Sequence, residues 1–399
     1  MKRWAIRHLR GAAQPPIELR GERAVGLLAL WAAALALRPQ VIVLGPLLPD
    51  VMDDLRVSHA VAGLLSTIPI LCMGVFAPLA PWVAGRVGAS RGIGLSLAVI
   101  AVFGLVRLWP AGAWVVVVLT VGVGLGMGMG NGILPVVTKE RFADRPAFAT
   151  GVYVFGINVG SLAAAAAAIP IARLGGGWRT PLAAFSLATA LLAAPWLASG
   201  AEGSAAPPPA PGHLRPAAAR PRAWGIAAIF ALLTVVFYGA NAWLPAYYVE
   251  RGWSSPDAGR ALAVFHLVPL FVTLPVAWLA DRVGSRRAWL GGGGVVMVGA
   301  FLGVLWGAAH GWLWSGLLGG AVGALFSLVM TLPLDVCDDP RDVGAVAAVM
   351  LGVGFVLAAA APAALGAVRD GTGSFVPVIW LLLASAAAFG ALAAWARTS

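Results

Sequence analysis

The chain has 399 residues, of which 60% are hydrophobic and only 11% are charged, and its mean hydropathy is +0.89. Soluble globular proteins carry about 25% charged residues, so this composition excludes that class and indicates an integral membrane protein. The net charge of +11 does not indicate nucleic-acid binding, because no basic cluster alternates with aromatic residues on a polar segment. The only cysteines, Cys72 and Cys337, exclude a disulfide framework and a zinc site built on cysteine spacing.

Twelve apolar segments follow one another along the chain, and each is long enough for a membrane-spanning helix. Their approximate bounds are 24–49, 58–84, 92–109, 112–137, 147–172, 180–199, 224–248, 257–281, 288–309, 312–334, 343–368 and 374–396. The prediction is therefore an all-α membrane protein with twelve transmembrane helices.

Two polar segments divide this series of helices. Residues 1–23 lack the apolar core and the small-residue cleavage site of a signal peptide, so they are predicted to form a retained cytoplasmic tail. Residues 200–222 are rich in proline, alanine and arginine, which predicts a flexible cytoplasmic linker. We therefore expect two six-helix bundles, one over 24–199 and one over 223–399.

The distribution of arginine and lysine predicts the orientation in the membrane. If the N-terminus is cytoplasmic, 19 of the 27 basic residues fall in cytoplasmic segments, and seven, including Arg107, fall in outer loops. The positive-inside rule expects this excess for a multi-pass protein of a prokaryotic plasma membrane with both termini in the cytoplasm. The one remaining basic residue is Arg38, which lies inside a predicted helix.

The two halves of the chain share an internal repeat. When 44–91 is aligned without gaps to 240–287, 12 of the 48 positions are identical. The identities include the cluster Trp-x-Ala-x-Arg-Val-Gly-x-x-Arg, which occurs at 82–91 and again at 278–287. Duplicated halves of this kind are typical of transporters built from parallel repeats.

The second copy of this cluster carries a loop motif. Residues 277–287, AWLADRVGSRR, resemble the Asp-Arg-x-Gly-x-Arg-Arg loop of the major facilitator superfamily. The resemblance implies two six-helix bundles joined by a latch on the cytoplasmic side. The latch residues that it implies are Asp281, Arg282, Arg286 and, in the first copy, Arg86. The first copy, 81–91, has Gly85 in place of the aspartate, which predicts a weaker latch there. Ordinary positive-inside charge without a gating role is the alternative.

Further stretches resemble one branch of that superfamily, the cyanate transporters, which also includes proteins linked to 2-nitroimidazole export. They are LRPQVIVLGPLLPD (37–50), AGLLSTIPILCMGVFAPLAP (62–81), GMGMGNGILPVVTK (126–139), TGVYVFGINVGSLAAA (150–165) and FYGANAWLPAYY (237–248). Ala36 stands where this branch is expected to have asparagine. The resemblance implies a monomeric secondary transporter for a small anion or a small polar molecule. No motif in the sequence indicates a cofactor.

Arg38 lies near the middle of the first predicted helix, where a charge costs about 3 kcal/mol to insert into a bilayer. Such an arginine is expected to face the protein interior. Its guanidinium stays protonated and offers a planar set of donors that suits carboxylate, nitrate or cyanate. Pro39 follows it and predicts a kink in the helix. Arg38 is therefore predicted to bind the substrate anion, and a structural arginine bonded to backbone carbonyls is the alternative.

Other polar residues lie in helices that the resemblance places around a central cavity, close to the middle of each segment except for Tyr153 and Asn131, which lie toward the cytoplasm. These candidate substrate contacts are Thr67, Asn131, Tyr153, Asn158, Tyr238, Asn241 and His266. For each of them, packing between helices is the alternative. No aspartate or glutamate lies near the middle of a segment, which weighs against proton coupling through a carboxylate. Coupling through His266, entry of a protonated substrate and facilitated diffusion stay open.

Small and aromatic residues make further structural predictions. Glycines alternate from 122 to 132 without the preceding strand that a nucleotide-binding loop needs, so they indicate close helix packing. Gly156 and Gly160 have the spacing of a small-xxx-small helix contact. The aromatic residues near segment ends that are predicted to anchor helices at the membrane interface are Trp243, Tyr247, Tyr248, Trp312 and Trp314. A place in the roof of the cavity is the alternative for Trp243.

These features together predict a transporter that moves a small, cyanate-like anion across the membrane by alternating access. Export of a neutral drug-like molecule, such as a 2-nitroimidazole, is the alternative. An enzyme is not predicted, because neither His-Glu-x-x-His nor Gly-x-Ser-x-Gly is present, and a sensor would need an appended domain, which is not expected. The expected partners are the anion, the lipid bilayer and, if transport is coupled, a proton.

Overall fold

The computed structural model describes residues 21–57, 59–109, 112–198, 221–283, 285–307, 310–337 and 340–395. The predicted tail and linker lie outside these ranges, except for residues 21–23 and 221–222, which are helical. Within the described ranges the secondary structure is helical and contains no strand. The all-α prediction is therefore confirmed.

The helices of the first half are α1 (Gly21–Leu35), α2 (Pro39–Ile42), α3 (Leu44–Leu55), α4 (His59–Val75), α5 (Leu79–Val87), α6 (Ala89–Val106), α7 (Ala113–Arg141), α8 (Pro146–Gly175) and α9 (Arg179–Ala198). Those of the second half are α10 (Pro221–Glu250), α11 (Ser255–Val283), α12 (Arg286–Trp306), α13 (Gly311–Met330), α14 (Leu332–Val336), α15 (Pro340–Thr372) and α16 (Val376–Trp395). In the described ranges, eleven helical segments are long and apolar enough to cross a membrane. The bent pair of α4 and α5 provides a twelfth crossing if it forms one span.

The first predicted helix, 24–49, is broken rather than continuous. Helix α1 ends at Leu35, residues 36–38 form a turn, and the short helix α2 begins at Pro39. Proline has no N–H to donate to the carbonyl four residues earlier, and its ring crowds that carbonyl. The predicted kink is therefore a break in the helix at residues 36–38, after which α2 and α3 follow.

Two other predicted helices are also interrupted near prolines. The segment 58–84 divides into α4 and α5, which meet at an angle of 63°, and Pro78 is the residue before α5. The segment 312–334 divides at Thr331 into α13 and α14, with Pro333 in the first turn of α14. The first N–H groups of a helix have no partner inside the helix, so a proline there loses no hydrogen bond. A new helix can therefore begin at or next to each of these prolines.

The segment that follows the first span, α3, is tied to another helix of the same half. In α3, the Asp54 carboxylate accepts hydrogen bonds from the indole Nε1 of Trp178, 3.1 Å away, and from Nη1 of Arg179, 2.6 Å away. These two hydrogen bonds hold the pKa of Asp54 below its usual range. The segment after the break is thus fixed to the start of α9.

Close packing of α8 on α1 depends on two glycines. A Cβ atom on Gly156 would lie 2.5 Å from the carbonyl oxygen of Trp31, and one on Gly160 would collide with the carbonyl oxygen of Leu35. Leu35 is also the residue whose carbonyl loses its helical partner at Pro39. The predicted small-xxx-small contact is therefore present, and it lies directly beside the break.

The alternating glycines of α7 let two neighbouring helices approach it. A Cβ atom on Gly126 would lie 2.7 Å from the carbonyl oxygen of Ser96 in α6, and one on Gly128 would lie 3.1 Å from that of Cys72 in α4. These distances confirm that the glycines serve packing. Both Cys72 and Cys337 are buried free thiols.

The prediction of membrane-interface anchors is wrong for Tyr247 and Tyr248. Tyr247 and Tyr248 are completely buried, and their hydroxyls donate hydrogen bonds to the carbonyl oxygens of Val304 and Gly311 at 3.2 and 3.0 Å. Trp243 is half-buried and donates its indole N–H to a carbonyl oxygen of α15. These side chains hold α10 against its neighbours because buried hydroxyl and indole groups need acceptors inside the protein.

The two halves pack against each other through several pairs of helices. Helices α4 and α7 pack against α15, and α8 packs against α11 and α13. The break in the first span lies near the second half, because Arg38 in this break contacts α10 and α15. Any movement of one half against the other therefore changes the surroundings of the break.

We predict that Gly160→Ala destabilises the protein by about 1–3 kcal/mol, because the new methyl group forces α8 away from α1. Gly299→Ala is the matched control, since nothing lies within 4 Å of a Cβ atom at that position. Thermal unfolding in detergent measures both variants. Equal melting temperatures for Gly160→Ala and the unmodified protein would contradict the packing described.

Candidate substrate-binding site

Arg38 is the residue before α2, and its guanidinium reaches the second half. Its Nη1 donates a hydrogen bond to the hydroxyl of Tyr238 in α10 over 3.1 Å. Its Cζ lies 5.9 Å from the ring centroid of Phe355 in α15, within the distance at which an aromatic face attracts a cation. Two of the predicted site residues therefore meet, and Phe355 is a contact that the sequence did not indicate.

Arg38 has donors that the surrounding protein does not use. No ion pair in the described ranges involves Arg38. Its Nε is buried and has no hydrogen-bond partner. Leaving such a donor unpaired costs about 1–3 kcal/mol. The observed hydrogen bond runs to a tyrosine side chain and not to a backbone carbonyl, which the structural alternative expected. The guanidinium can therefore accept an anionic ligand without losing a carboxylate partner.

A second pair of predicted residues lies next to this contact. The Nε2 of His266 in α11 and the Oδ1 of Asn241 in α10 are 2.7 Å apart and share a hydrogen bond. The ring of Phe237 stands nearly perpendicular to the rings of Tyr238 and of His266, with centroids 5.0 and 5.9 Å away. The Phe237 ring thus contacts one residue of the Arg38–Tyr238 pair and one residue of the His266–Asn241 pair. We call Arg38, Tyr238, Asn241 and His266 the Arg38 cluster.

The other four candidate contacts do not bond to the Arg38 cluster in the described ranges. Asn131 is buried and donates its amide to the carbonyl oxygen of Met127 in its own helix, 2.8 Å away. Tyr153 is fully buried, and its hydroxyl has no hydrogen-bond partner. Asn158 is half-buried and Thr67 is exposed. Asn131 therefore supports its own helix, because its amide is already satisfied there.

A cavity of about 790 Å³ lies elsewhere, within the second half. Valine, leucine, glycine and tryptophan side chains of α11, α12 and α13 line it, and none of the predicted site residues does so. An apolar lining offers no partner for a charged substrate. This cavity is therefore distinct from the Arg38 cluster.

The predicted latch joins the halves through Asp281. Its carboxylate accepts hydrogen bonds from the backbone N–H groups of Ala147 and Phe148, at 3.2 and 2.7 Å, in the first turn of α8. Arg286 donates from Nη2 to Asp281 at 2.9 Å and from Nε to Asp335 at 3.3 Å. The first N–H groups of a helix lack partners inside the helix and attract negative charge. The second copy of the loop thus contacts the first half.

The two other arginines predicted for the latch lie differently. The Cζ of Arg282 is 3.6 Å from the ring centroid of Trp278, and the Cζ of Arg86 is 4.6 Å from that of Trp82. Each arginine therefore covers a tryptophan four residues earlier in its own helix. Neither takes part in an ion pair across the halves in the described ranges.

Sequence reasoning placed Arg107 in an outer loop, and it does follow Val106, the last residue of α6, but its side chain is buried inside the first half. Arg107 is only 1% exposed, and its Nη2 donates to the carbonyl oxygen and to Oε1 of Gln40 at 2.8 and 2.6 Å. The Gln40 amide in turn donates to the carbonyl oxygen of Leu182 and to Oγ of Ser186 at 3.1 and 2.8 Å. The signal that could have found Arg107 is its position inside the apolar segment 92–109.

Comparison with known proteins agrees with this architecture. The chain matches the family model of the Major Facilitator Superfamily over residues 30–362. It is 31% identical over 352 residues to the cyanate transport protein CynX of Escherichia coli (strain K12), which covers 88% of this chain and 91% of CynX. It is 26% identical over 344 residues to the 2-nitroimidazole transporter of the same organism, which covers 85% and 87% of the two chains.

A solved structure shares the fold. The transporter FucP in its outward conformation superposes with a TM-score of 0.76 at 15% sequence identity, covering 92% of this chain and 98% of FucP. The family match spans both halves, and the relatives are named as transporters. The chain therefore belongs to the Major Facilitator Superfamily, as a multi-pass membrane protein of a family that transports small molecules.

Proposed function

We propose that this transporter moves a small monovalent anion of the cyanate type across a prokaryotic inner membrane by alternating access. The observation that carries the proposal is the Arg38 guanidinium, which has no carboxylate partner in the described ranges and has a buried Nε without an acceptor. The 31% identity to a cyanate transport protein supports the same substrate class. The protein works as a monomer with both termini in the cytoplasm.

In this proposal, the Arg38 cluster binds the anion through one charge and several neutral groups. Adjacent N–H groups of a guanidinium can hold a compact anion through parallel, charge-assisted hydrogen bonds. The phenol of Tyr238 orients the guanidinium, and Asn241 with His266 offers further polar contacts. None of these neutral groups competes with the anion for Arg38, as a carboxylate would. Thr67 and Asn158, which do not bond to the cluster in this structure, stay candidate contacts of the anion.

In this proposal, the latch controls whether the two halves are closed or open at the cytoplasmic side. While Asp281 holds the start of α8, the halves stay together at that side. Because Gly85 takes the place of the aspartate in the first copy, the closed arrangement depends on one carboxylate and not on two. Opening toward the cytoplasm then requires breaking these bonds, and the substrate site becomes accessible from the other side of the membrane as the halves rock.

Removing the charge of Arg38 should weaken transport strongly. We expect Arg38→Gln to lower kcat/KM for labelled cyanate uptake into proteoliposomes about 10- to 100-fold, since a hydrogen bond to a charged group contributes about 1.5–3 kcal/mol. The matched control is Arg251→Gln, because Arg251 donates to the hydroxyl of Tyr247 over the same 3.1 Å but lies outside the cluster. Uptake by Arg38→Gln equal to that of the control would contradict the role of Arg38.

Export of a neutral 2-nitroimidazole is the second candidate function. The relative that transports this compound and the phenylalanines around the cluster favour it. Phe265 and Phe355 are 1% and 0% exposed, however, which leaves their faces covered by protein. If the anion proposal holds, excess nitrate should inhibit cyanate uptake and excess 2-nitroimidazole should not. The opposite ranking of the two competitors would favour the exporter.

Weakening the latch should open the cytoplasmic side. Ser327 is completely buried in α13 and faces Gly151 of α8 across the halves. In a protein carrying Cys72→Ser, Cys337→Ser and Ser327→Cys, we expect Asp281→Asn to raise the alkylation rate of the introduced thiol about tenfold, because charge-assisted bonds to α8 are lost.

Asp144→Asn is the control for this measurement. Asp144 pairs with Arg23 at the surface, where both side chains are at least half exposed, and exposed pairs contribute about 0–1 kcal/mol. The control should leave the alkylation rate unchanged. An equal rate in Asp281→Asn would show that Asp281 does not hold the closed arrangement.

A further inference from the structure

Arg107 holds a full positive charge inside the first half with only neutral partners. Among the side chains whose burial the structure describes, it is the only charged one that is completely buried. Its Nη2 binds two oxygens of Gln40, while its Nε and Nη1 are buried without an acceptor. No ion pair in these ranges involves Arg107. Because a guanidinium does not lose its proton in proteins, the charge is permanent.

The position of this charge is fixed relative to the substrate site. Gln40 is the second residue after Arg38 and lies in α2, directly behind the helix break. It is completely buried and bonded to α9 through Ser186. A Cβ atom on Gly104 of α6 would lie 3.1 Å from Oε1 of Gln40, so the glycine permits this approach. Arg107 is therefore held against the same short segment that presents Arg38.

A purely structural role does not require the charge. A neutral amide could donate to the same two oxygens of Gln40 with a smaller desolvation penalty, since burying an ion costs far more than burying an amide. Inside a protein, however, a charge is screened much less than in water, so its field reaches neighbouring sites. The property that distinguishes Arg107 from a neutral donor is this field.

We propose that Arg107 is a specificity-determining residue that raises the positive potential at Arg38 from behind the helix break. It selects small anions over neutral and cationic molecules without touching them. This inference rests on the proposed function, because it names a second residue that favours the anion at the same site. It predicts that the charge of Arg107, rather than its hydrogen bonds, sets the selectivity.

The potential can be measured without any substrate. In a protein carrying Cys72→Ser, Cys337→Ser and Arg38→Cys, the introduced thiol reacts with two methanethiosulfonate reagents, one with an anionic sulfonate and one with a cationic trimethylammonium group. We expect the anionic-to-cationic ratio of rates to fall at least about tenfold when Arg107→Gln or Arg107→Met is added. The two variants differ because Gln keeps a donor for Gln40 and Met does not.

The pair of variants separates charge from positioning. A lower ratio in both variants supports the electrostatic role. A lower ratio in Arg107→Met alone would assign Arg107 to positioning and overturn the proposal, as would an unchanged ratio in both. If the Arg107 variants do not fold, Gln40→Met tests the same point, because it removes the Oε1 acceptor and keeps the charge. The ratio should then stay within about twofold, and a tenfold fall would overturn the proposal.

Transport by the protein with Arg38 intact provides the second measurement, which also decides the outcome if the introduced thiol reacts with neither reagent. We expect Arg107→Gln to raise the KM for cyanate about tenfold and to leave the maximal rate nearly unchanged, since the field acts on binding. An unchanged KM would overturn the proposal. If the unmodified protein does not transport cyanate but the reagent ratio still depends on Arg107, the proposed substrate fails and the electrostatic role stands.

Discussion

A guanidinium in the interior of an apolar protein is the constraint on which this structure depends. Its charge cannot be removed, so it must face protein groups or a ligand and not lipid. The helix break at Pro39 presents Arg38 to the second half, where a phenol and an aromatic ring receive it. The glycine contact between α8 and α1 holds the chain beside this break. One N–H group of Arg38 is left without an acceptor, which is the feature that an anionic substrate fits.

The two halves share a sequence repeat, yet they contribute different chemistry. In the proposed site, the first half provides the charges, Arg38 and Arg107, and the second half provides neutral hydrogen-bonding groups. The latch reverses this pattern, because a carboxylate of the second half binds the start of a first-half helix. Each half thus lacks what the other supplies. Relative motion of the halves consequently changes the substrate site and the latch together.

The sequence predicted the fold well because the fold depends on properties that are summed over many residues. Apolar length identified the crossings, and the loop motif identified the superfamily. The sequence also predicted that Arg38 has a special environment, since a charge in a long apolar segment needs one. It named Tyr238 as a candidate contact of the same site but did not indicate Phe355, because Phe355 is distant along the chain and meets Arg38 only when the halves assemble.

Other errors have equally specific physical causes. Asn131 was predicted as a candidate contact toward the cytoplasmic end of its segment, but its amide is satisfied within its own helix. Arg107 lies near a segment end, where a sequence cannot distinguish a loop charge from a buried one. The breaks near Pro78 and Pro333 were not predicted, although the break at Pro39 developed from a predicted kink. The depth of a residue in the membrane can be estimated from its position in an apolar segment. The direction in which its side chain points depends on the neighbouring helices, which the sequence alone does not identify.

The most direct test of the central claim is to locate the anion. Selenocyanate is a compact analogue of cyanate whose selenium gives an anomalous diffraction signal, so a crystal structure of the complex would show where it binds. We expect one selenium peak at the Arg38 cluster, with the anion about 3 Å from the guanidinium nitrogens. A peak in the apolar cavity of the second half, with none near Arg38, would contradict the account.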